Sequence, residues 1–119
     1  MTRKLNLGEI WLADLGSKLG TELGKLRPVL IIQNQTLLDA NHPSSLVIPL
    51  TTNLIDDAEP LRIRINAQGK LDRDSDLLID QIRAIDNTRL HIGALVLCNE
   101  DFMKKVYQAI AEVIGDKNS

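Results

Sequence analysis

Runs of apolar residues, some of them alternating with polar residues, divide the chain into six predicted strands and one predicted helix. The clearest alternation is LRIRIN at 61–66, where arginines separate the apolar residues, as in a strand with one buried face. The other predicted strands are 9–15, 28–34, 45–52, 77–85 and 94–99, with loops at 16–27 and 35–44 and a turn at 67–76. Pro49 predicts a sheet edge or a bulge, because proline cannot donate a hydrogen bond to a neighbouring strand.

The end of the chain has the periodicity of a helix. Met103, Val106 and Ile110 recur at helical spacing, with charged residues on the other face. Asn99 is a suitable N-cap and Gly115 a suitable C-terminal stop. The pattern therefore predicts one domain over residues 1–119, mainly β, with a small antiparallel sheet or barrel and a C-terminal helix.

Composition narrows the class of protein. A net charge of −2 excludes a generally basic surface, so binding of nucleic acid would need a local basic patch. The single cysteine, Cys98, excludes an internal disulfide framework and is expected to be a small buried residue. The three aromatic residues, Trp11, Phe102 and Tyr107, are expected in the core. With neither a membrane-length apolar run nor a signal-peptide core, the sequence predicts a soluble, cytoplasmic protein.

Metal and phosphate motifs fail on their spacing. DRDSD at 72–76 supplies the first three ligand positions of a calcium loop, but Leu77 stands where that loop needs glycine, so we expect a solvated turn. GTELGKL at 20–26 lacks both the spacing and the hydroxyl residue of a phosphate-binding loop. The two histidines and Cys98 show no metal-ligand spacing. No cofactor is therefore expected.

A few polar residues remain as candidates for chemistry, most of them at strand ends or on adjoining loops, where a rigid scaffold presents reactive groups. They are Glu22, Arg27, Thr51, Thr52, Asp80 and Arg83. Position parity within the predicted strand 77–85 puts Asp80 and Arg83 on opposite faces. Each residue alone has an ordinary structural explanation, such as a surface ion pair between Arg27 and Glu22. Their combination indicates a site.

The same residues carry a resemblance to a known family. GEIWLADL, GTELGKLRPVLIIQN, LVIPLTT and LLIDQIRAID are similar, in order and spacing, to the MazF/PemK toxin endoribonucleases of bacterial type II toxin–antitoxin systems. The resemblance implies an SH3-like barrel that works as a homodimer and slows growth by cutting single-stranded mRNA at specific sequences. It also implies cleavage without a metal, cyclic or 3′ phosphate and 5′ hydroxyl ends, and a MazE/PemI-like antitoxin that blocks the RNA groove.

The resemblance implies roles for individual residues as well. Arg27 is the expected catalytic cation, Thr51 a hydrogen-bond donor to the same phosphate, and Glu22 the first choice of general base, ahead of Asp80. The residues expected to bind RNA are Lys18, Thr21, Lys25, Thr52, Gln81 and Arg83.

The chain departs from the family pattern in several places. Leu23 replaces a common loop glutamine, and Gly24 is one place from the usual glycine. Thr21 and Leu78 stand where some members have a histidine and a second arginine, so this chain resembles the arginine–threonine branch. Two alternatives stay open. One is a non-catalytic binding module of the same fold; the other is a CcdB-type gyrase poison, which the absence of a C-terminal tryptophan disfavours.

Overall fold

The computed structural model describes residues 4–16 and 26–116, whose strands form one antiparallel sheet. The strands are β1 (Glu9–Asp14), β2 (Leu26–Ile31), β3 (Ser44–Thr51), β4 (Arg62–Ile65), β5 (Ser75–Leu78), β6 (Arg83–Asp86) and β7 (Leu90–Leu97). The helices are α1 (Gln35–Asp39) and α2 (Glu100–Ile114), with short 3-10 turns at Ile79–Gln81 and Asn87–Arg89. The sheet order is β4-β5-β3-β2-β1-β7, and β6 also pairs with β3.

Strand β3 joins the two halves of the sheet because two strands share one of its edges. Strand β6 pairs with residues 44–47, and β5 pairs with the last two residues. The Leu46 carbonyl accepts a hydrogen bond from the Ile32 N–H at 3.0 Å, on the β2 side. Since backbone groups alternate in direction along a strand, the nitrogen of Pro49 is directed to the other side, where β6 has ended and β5 has not begun. Pro49 was expected at an edge or a bulge, but β3 is an inner strand, and this gap accommodates the missing N–H.

Alternate residues of the strands pack into two apolar layers. The layer that includes α2 contains Ile10, Leu30, Ile48, Leu50, Leu77, Ile79, Met103 and Val106. The layer on the other side of the sheet contains Trp11, Ala13, Val29, Ile31, Leu38, Val47, Ile85 and Leu90. We call this second side the Val29 face. It matters for function because the candidate site lies along it.

The mainly β architecture with a C-terminal helix is confirmed. Helix α2 begins where expected, since the Asn99 side chain accepts a hydrogen bond from the Phe102 N–H at 2.8 Å. It ends at Gly115, which adopts a left-handed conformation with φ 79°. Within the described ranges, no helix has both the length and the apolar character needed to cross a membrane.

Three further local predictions were wrong. The predicted loop 35–44 contains α1, because Asn34 caps a helical turn through its side chain and Leu38 is buried beneath it. The predicted strand 77–85 is broken by the turn Ile79–Gln81. Even and odd positions therefore do not alternate between two faces along it, and the predicted opposite orientation of Asp80 and Arg83 does not follow. Tyr107 is 42% exposed rather than in the core.

Candidate active site

Arg27 lies near the start of β2, on the Val29 face. It pairs with Ala13 of β1 and precedes Val29 by two residues, so the three side chains share one side of the sheet. The residue is half-buried, and its Nε is buried without a hydrogen-bond partner in the part of the chain that the structure describes. Buried polar groups in native proteins are nearly always hydrogen-bonded. Arg27 therefore holds an unmet donor, which an anion oxygen would satisfy after a small shift of the half-buried side chain.

Thr51 is the last residue of β3 and lies beside Arg27 on the neighbouring strand. Val29 pairs with Pro49, and two further residues along each strand bring Arg27 level with Thr51. Level residues on neighbouring antiparallel strands project from the same face. The Thr51 side chain is buried, and its Oγ1 accepts a hydrogen bond from the Asn53 N–H at 3.1 Å. Because a hydroxyl can accept and donate together, the Thr51 proton remains available for a substrate oxygen.

Arg83 adds a second cation to the Val29 face. It is the first residue of β6 and pairs with Val47, four residues before Thr51, which is about 13 Å along an extended strand. Arg83 is exposed, and among the described residues neither Arg83 nor Arg27 takes part in a salt bridge. Within the described ranges, an acidic chain thus keeps two arginines without an ion-pair partner on one face, as the local basic patch needed for nucleic-acid binding would require.

Asp80 and Gln81 lie on the 3-10 turn that links β5 to β6. The turn begins with Ile79, which is buried in the α2 layer, whereas Asp80 and Gln81 are exposed. The turn spans the gap beside Pro49, between the strands that pair with the two ends of β3. Asp80 is therefore placed near β3 but lacks the burial expected of a general base.

Comparison with known proteins identifies the family. The family model of PemK-like, MazF-like toxins of type II toxin–antitoxin systems matches residues 6–114. This chain belongs to that family. It is 36% identical over 110 residues to Endoribonuclease MazF of Staphylococcus saprophyticus, a match that covers 91% of this chain and 89% of that protein. The family and the class of MazF-type toxin endoribonucleases, both inferred from the sequence, are confirmed.

Solved MazF structures share the fold of this MazF-type toxin. The crystal structure of MazF (Form-I) from Deinococcus radiodurans superposes with a TM-score of 0.77 at 17% identity, covering 96% of this chain and 99% of that one. An endoribonuclease from a Mycobacterial species, solved in complex with its cognate antitoxin, gives a TM-score of 0.71 at 19% identity, with 96% of each chain covered. The half-barrel sheet with a C-terminal helix is thus the fold of MazF toxins.

The structure brings together part of the set of site residues expected of a MazF-type toxin. Arg27, Thr51 and Arg83 share the Val29 face, and Thr52 follows Thr51 on the exposed start of the β3–β4 loop. The other candidates, Lys18, Thr21, Glu22 and Lys25, lie outside the described residues.

Sequence reasoning missed a buried ion cluster beside the site. Asp76, expected in a solvated turn, is buried in β5, where it pairs with Thr51 on one side and Arg64 on the other. Its carboxylate accepts hydrogen bonds from Arg64 Nε at 2.5 Å, the Ile55 N–H at 3.0 Å and Arg62 Nη1 at 3.2 Å. Burial alone raises the pKa of Asp76, but the bonds from Arg64, Ile55 and Arg62 outweigh it and hold this pKa below its ordinary value.

A signal for this cluster was present in the sequence. The arginines of LRIRIN and the acids of DRDSD flank a short turn, and an antiparallel hairpin across that turn brings Arg64 opposite Asp76. The pair is therefore visible only when the two segments are aligned as the strands of one hairpin.

In the part of the chain that the structure describes, the other titratable groups do not form a second site. Among the described residues, no three His, Cys, Asp or Glu side chains converge as a set that could hold a metal ion. Cys98 is buried as expected, and burial raises its thiol pKa to about 11. A thiol in that state is a poor nucleophile at neutral pH.

Proposed function

We propose that this MazF-type toxin cuts single-stranded mRNA at specific sequences, in the cytoplasm and without a metal ion. The proposal extends the family assignment to the chemistry of the reaction. A relative with 36% identity is named an endoribonuclease, which supports RNA as the substrate.

RNA supplies its own nucleophile in the proposed reaction. A general base removes the proton of a 2′ hydroxyl, whose oxygen bonds to the adjacent phosphorus while the bond from phosphorus to the 5′ oxygen breaks. The leaving 5′ oxygen takes up a proton. The products are a 2′,3′-cyclic phosphate, which water can open to a 3′ phosphate, and a 5′ hydroxyl end.

Arg27 and Thr51 stabilise the negative charge that develops on the phosphoryl oxygens. Arginine suits this role because its planar guanidinium binds phosphate through two donors and keeps its charge. A donor held on a strand, next to Pro28, needs little reorganisation during the reaction. The observation that carries the proposal is the buried Nε of Arg27, which has no hydrogen-bond partner among residues 4–16 and 26–116, level with a Thr51 hydroxyl on the same face.

The general base is one of two acids. Glu22 remains the first choice and Asp80, exposed on the turn beside β3, the second. A positioned base contributes about 10²–10⁴-fold to a rate. Separate Glu22→Gln and Asp80→Asn variants assign the role to the acid whose loss lowers the rate by that factor.

Binding of the RNA strand uses the remaining polar candidates. Arg83 and Gln81 follow β3 on one side, Thr52 extends from its end, and Lys18, Thr21 and Lys25 belong to the segment before Arg27. The functional unit is a homodimer. A cognate antitoxin is its regulator, by analogy with the Mycobacterial endoribonuclease that was solved in complex with one.

The deciding experiment incubates purified protein with a mixed-sequence single-stranded RNA in EDTA and maps the new ends. We expect discrete cleavage positions and 5′ ends that polynucleotide kinase labels without prior phosphatase treatment. Arg27→Ala, prepared in the same way, should leave the RNA intact and controls for a contaminating nuclease.

Two results would contradict the proposal. Cleavage that EDTA abolishes and magnesium restores, or new ends that carry a 5′ phosphate, would point to different chemistry. Binding of the RNA without cleavage would favour the non-catalytic module.

A further inference from the structure

The loop between β3 and β4 is held almost entirely by polar contacts. Residues 52–57 are all exposed, including the two apolar side chains Leu54 and Ile55, which are 39% and 50% exposed. This segment thus contributes little to the apolar core. Asp76 contacts it directly, by accepting the Ile55 N–H at 3.0 Å. The buried carboxylate is therefore the anchor of an otherwise exposed segment.

A second contact runs through Arg62. Its Nη1 donates to the Asp76 carboxylate at 3.2 Å and also to the backbone carbonyl of Asn53 at 2.8 Å. Arg62 thus connects the buried acid with the residue whose N–H bonds to Thr51. Arg64 completes the cluster by bonding to Asp76 through Nε and to the exposed Asp56 through Nη2 at 2.9 Å.

We propose that Asp76 is a positioning residue for Thr51, acting through Arg62 and Asn53. The Asn53 N–H takes up an acceptor site of the Thr51 hydroxyl at 3.1 Å, which fixes the direction in which that hydroxyl donates its proton. Without the carboxylate, Arg62 loses its buried partner and no longer fixes the backbone carbonyl of Asn53. The Asn53 N–H then no longer stays in place to bond to Thr51, so the Thr51 hydroxyl is free to rotate. This role rests on the proposed function, in which Thr51 bonds to the phosphate.

A double-mutant cycle separates positioning from simple stabilisation of the fold. Single-turnover cleavage at saturating RNA is measured for Asp76→Asn, Thr51→Val and the double variant, all at a temperature where each is folded. Misplacing a catalytic group by about 1 Å can cost up to roughly 10²-fold in rate. We expect Asp76→Asn to lower the rate about 10–100-fold with little change in KM, since the lost contact acts in the transition state.

In the Thr51→Val background, Asp76→Asn should lower the rate by less than about twofold, because the group that it positions is already gone. Asp74→Asn is the matched control. That acid lies two residues earlier and accepts the Ala67 N–H at 2.7 Å, at the far end of the hairpin. Its loss should leave the rate within about twofold of the wild type.

Equal losses from Asp76→Asn in both backgrounds would overturn the positioning role and leave the proposed function intact. The positioning role would also be overturned if Asp74→Asn lowered the rate as much as Asp76→Asn does. If Asp76→Asn does not fold, Arg62→Met removes the link to Asn53 alone and should show the same coupling to Thr51. A wild-type protein that cuts no RNA would refute the proposed function instead, and this role with it.

Discussion

Replacing Arg27 by methionine should remove the activity and raise the stability of the protein. Methionine keeps most of the unbranched stem but removes the buried Nε that has no partner among the described residues. Leaving a buried donor unsatisfied costs about 1–3 kcal/mol, so the free energy of unfolding should rise by up to that amount. For a domain near this size, 1 kcal/mol corresponds to roughly 3–6 °C in Tm. If Arg27 served only to stabilise the fold, its replacement by methionine would lower the free energy of unfolding instead.

The rate should change in the other direction. Removal of one pre-organised donor to a developing anion lowers a rate by roughly 10²–10³-fold, and a charged donor should matter at least as much. Arg27→Lys keeps the charge but lacks the planar fork, so it should recover only part of the rate. The assays are single-turnover cleavage of one RNA and chemical denaturation of the same preparations. An Arg27→Met protein that is markedly less stable than the wild type, or that cuts at the wild-type rate, would refute the reasoning.

Further outcomes follow from the same geometry. Thr51→Ser should retain more single-turnover activity than Thr51→Val, because the donor to the phosphate matters more than the shape; equal rates would argue against that donor. Cys98, with its pKa raised to about 11 by burial, should react with a thiol reagent at pH 8 only as the protein unfolds, which a denaturant series measures. Light scattering at micromolar concentration should give twice the chain mass of 13.2 kDa, and an active monomer would contradict the dimer. Asp76, whose pKa is lowered in the fold from an ordinary 3.8, stabilises the protein above that pH and ceases to do so as the pH falls through the lower folded value. Asp76→Asn should therefore cost about 3 kcal/mol of unfolding free energy at pH 7, and the difference should shrink as the pH falls below the ordinary value of 3.8 and through the lower folded pKa.

Periodicity predicted the parts of the fold in which local pattern and tertiary packing agree. The alternation in 61–66 and the helical spacing after Asn99 were read correctly, because each segment presents one apolar face to the core that it packs against. The positions of Arg27 and Thr51 at strand ends could be predicted from the sequence, and the structure places them near the start of β2 and at the end of β3. The α1 helix could not, since its five residues contain one buried side chain and depend on the Asn34 cap.

Asp76 shows a different limit of sequence reasoning. A carboxylate is normally exposed, and nothing within DRDSD indicates that its last acid faces two arginines. The burial becomes favourable only once the hairpin register is set and three donors converge on the carboxylate. Such a cluster depends on which residues of two strands pair with each other, and the periodicity of one segment gives no information on that pairing.

The break in the predicted strand 77–85 explains how the site is assembled around β3. A continuous strand along this edge would follow β3 without interruption and would meet the nitrogen of Pro49, which has no hydrogen to donate. The 3-10 turn bypasses that position, so that β5 places Asp76 beside Thr51 while β6 places Arg83 beside Val47. One proline therefore divides the edge of β3 into two stretches. One stretch carries the buried Asp76, which contacts the loop after Thr51, and the other carries Arg83, which extends the surface proposed for RNA and has no salt bridge among the described residues.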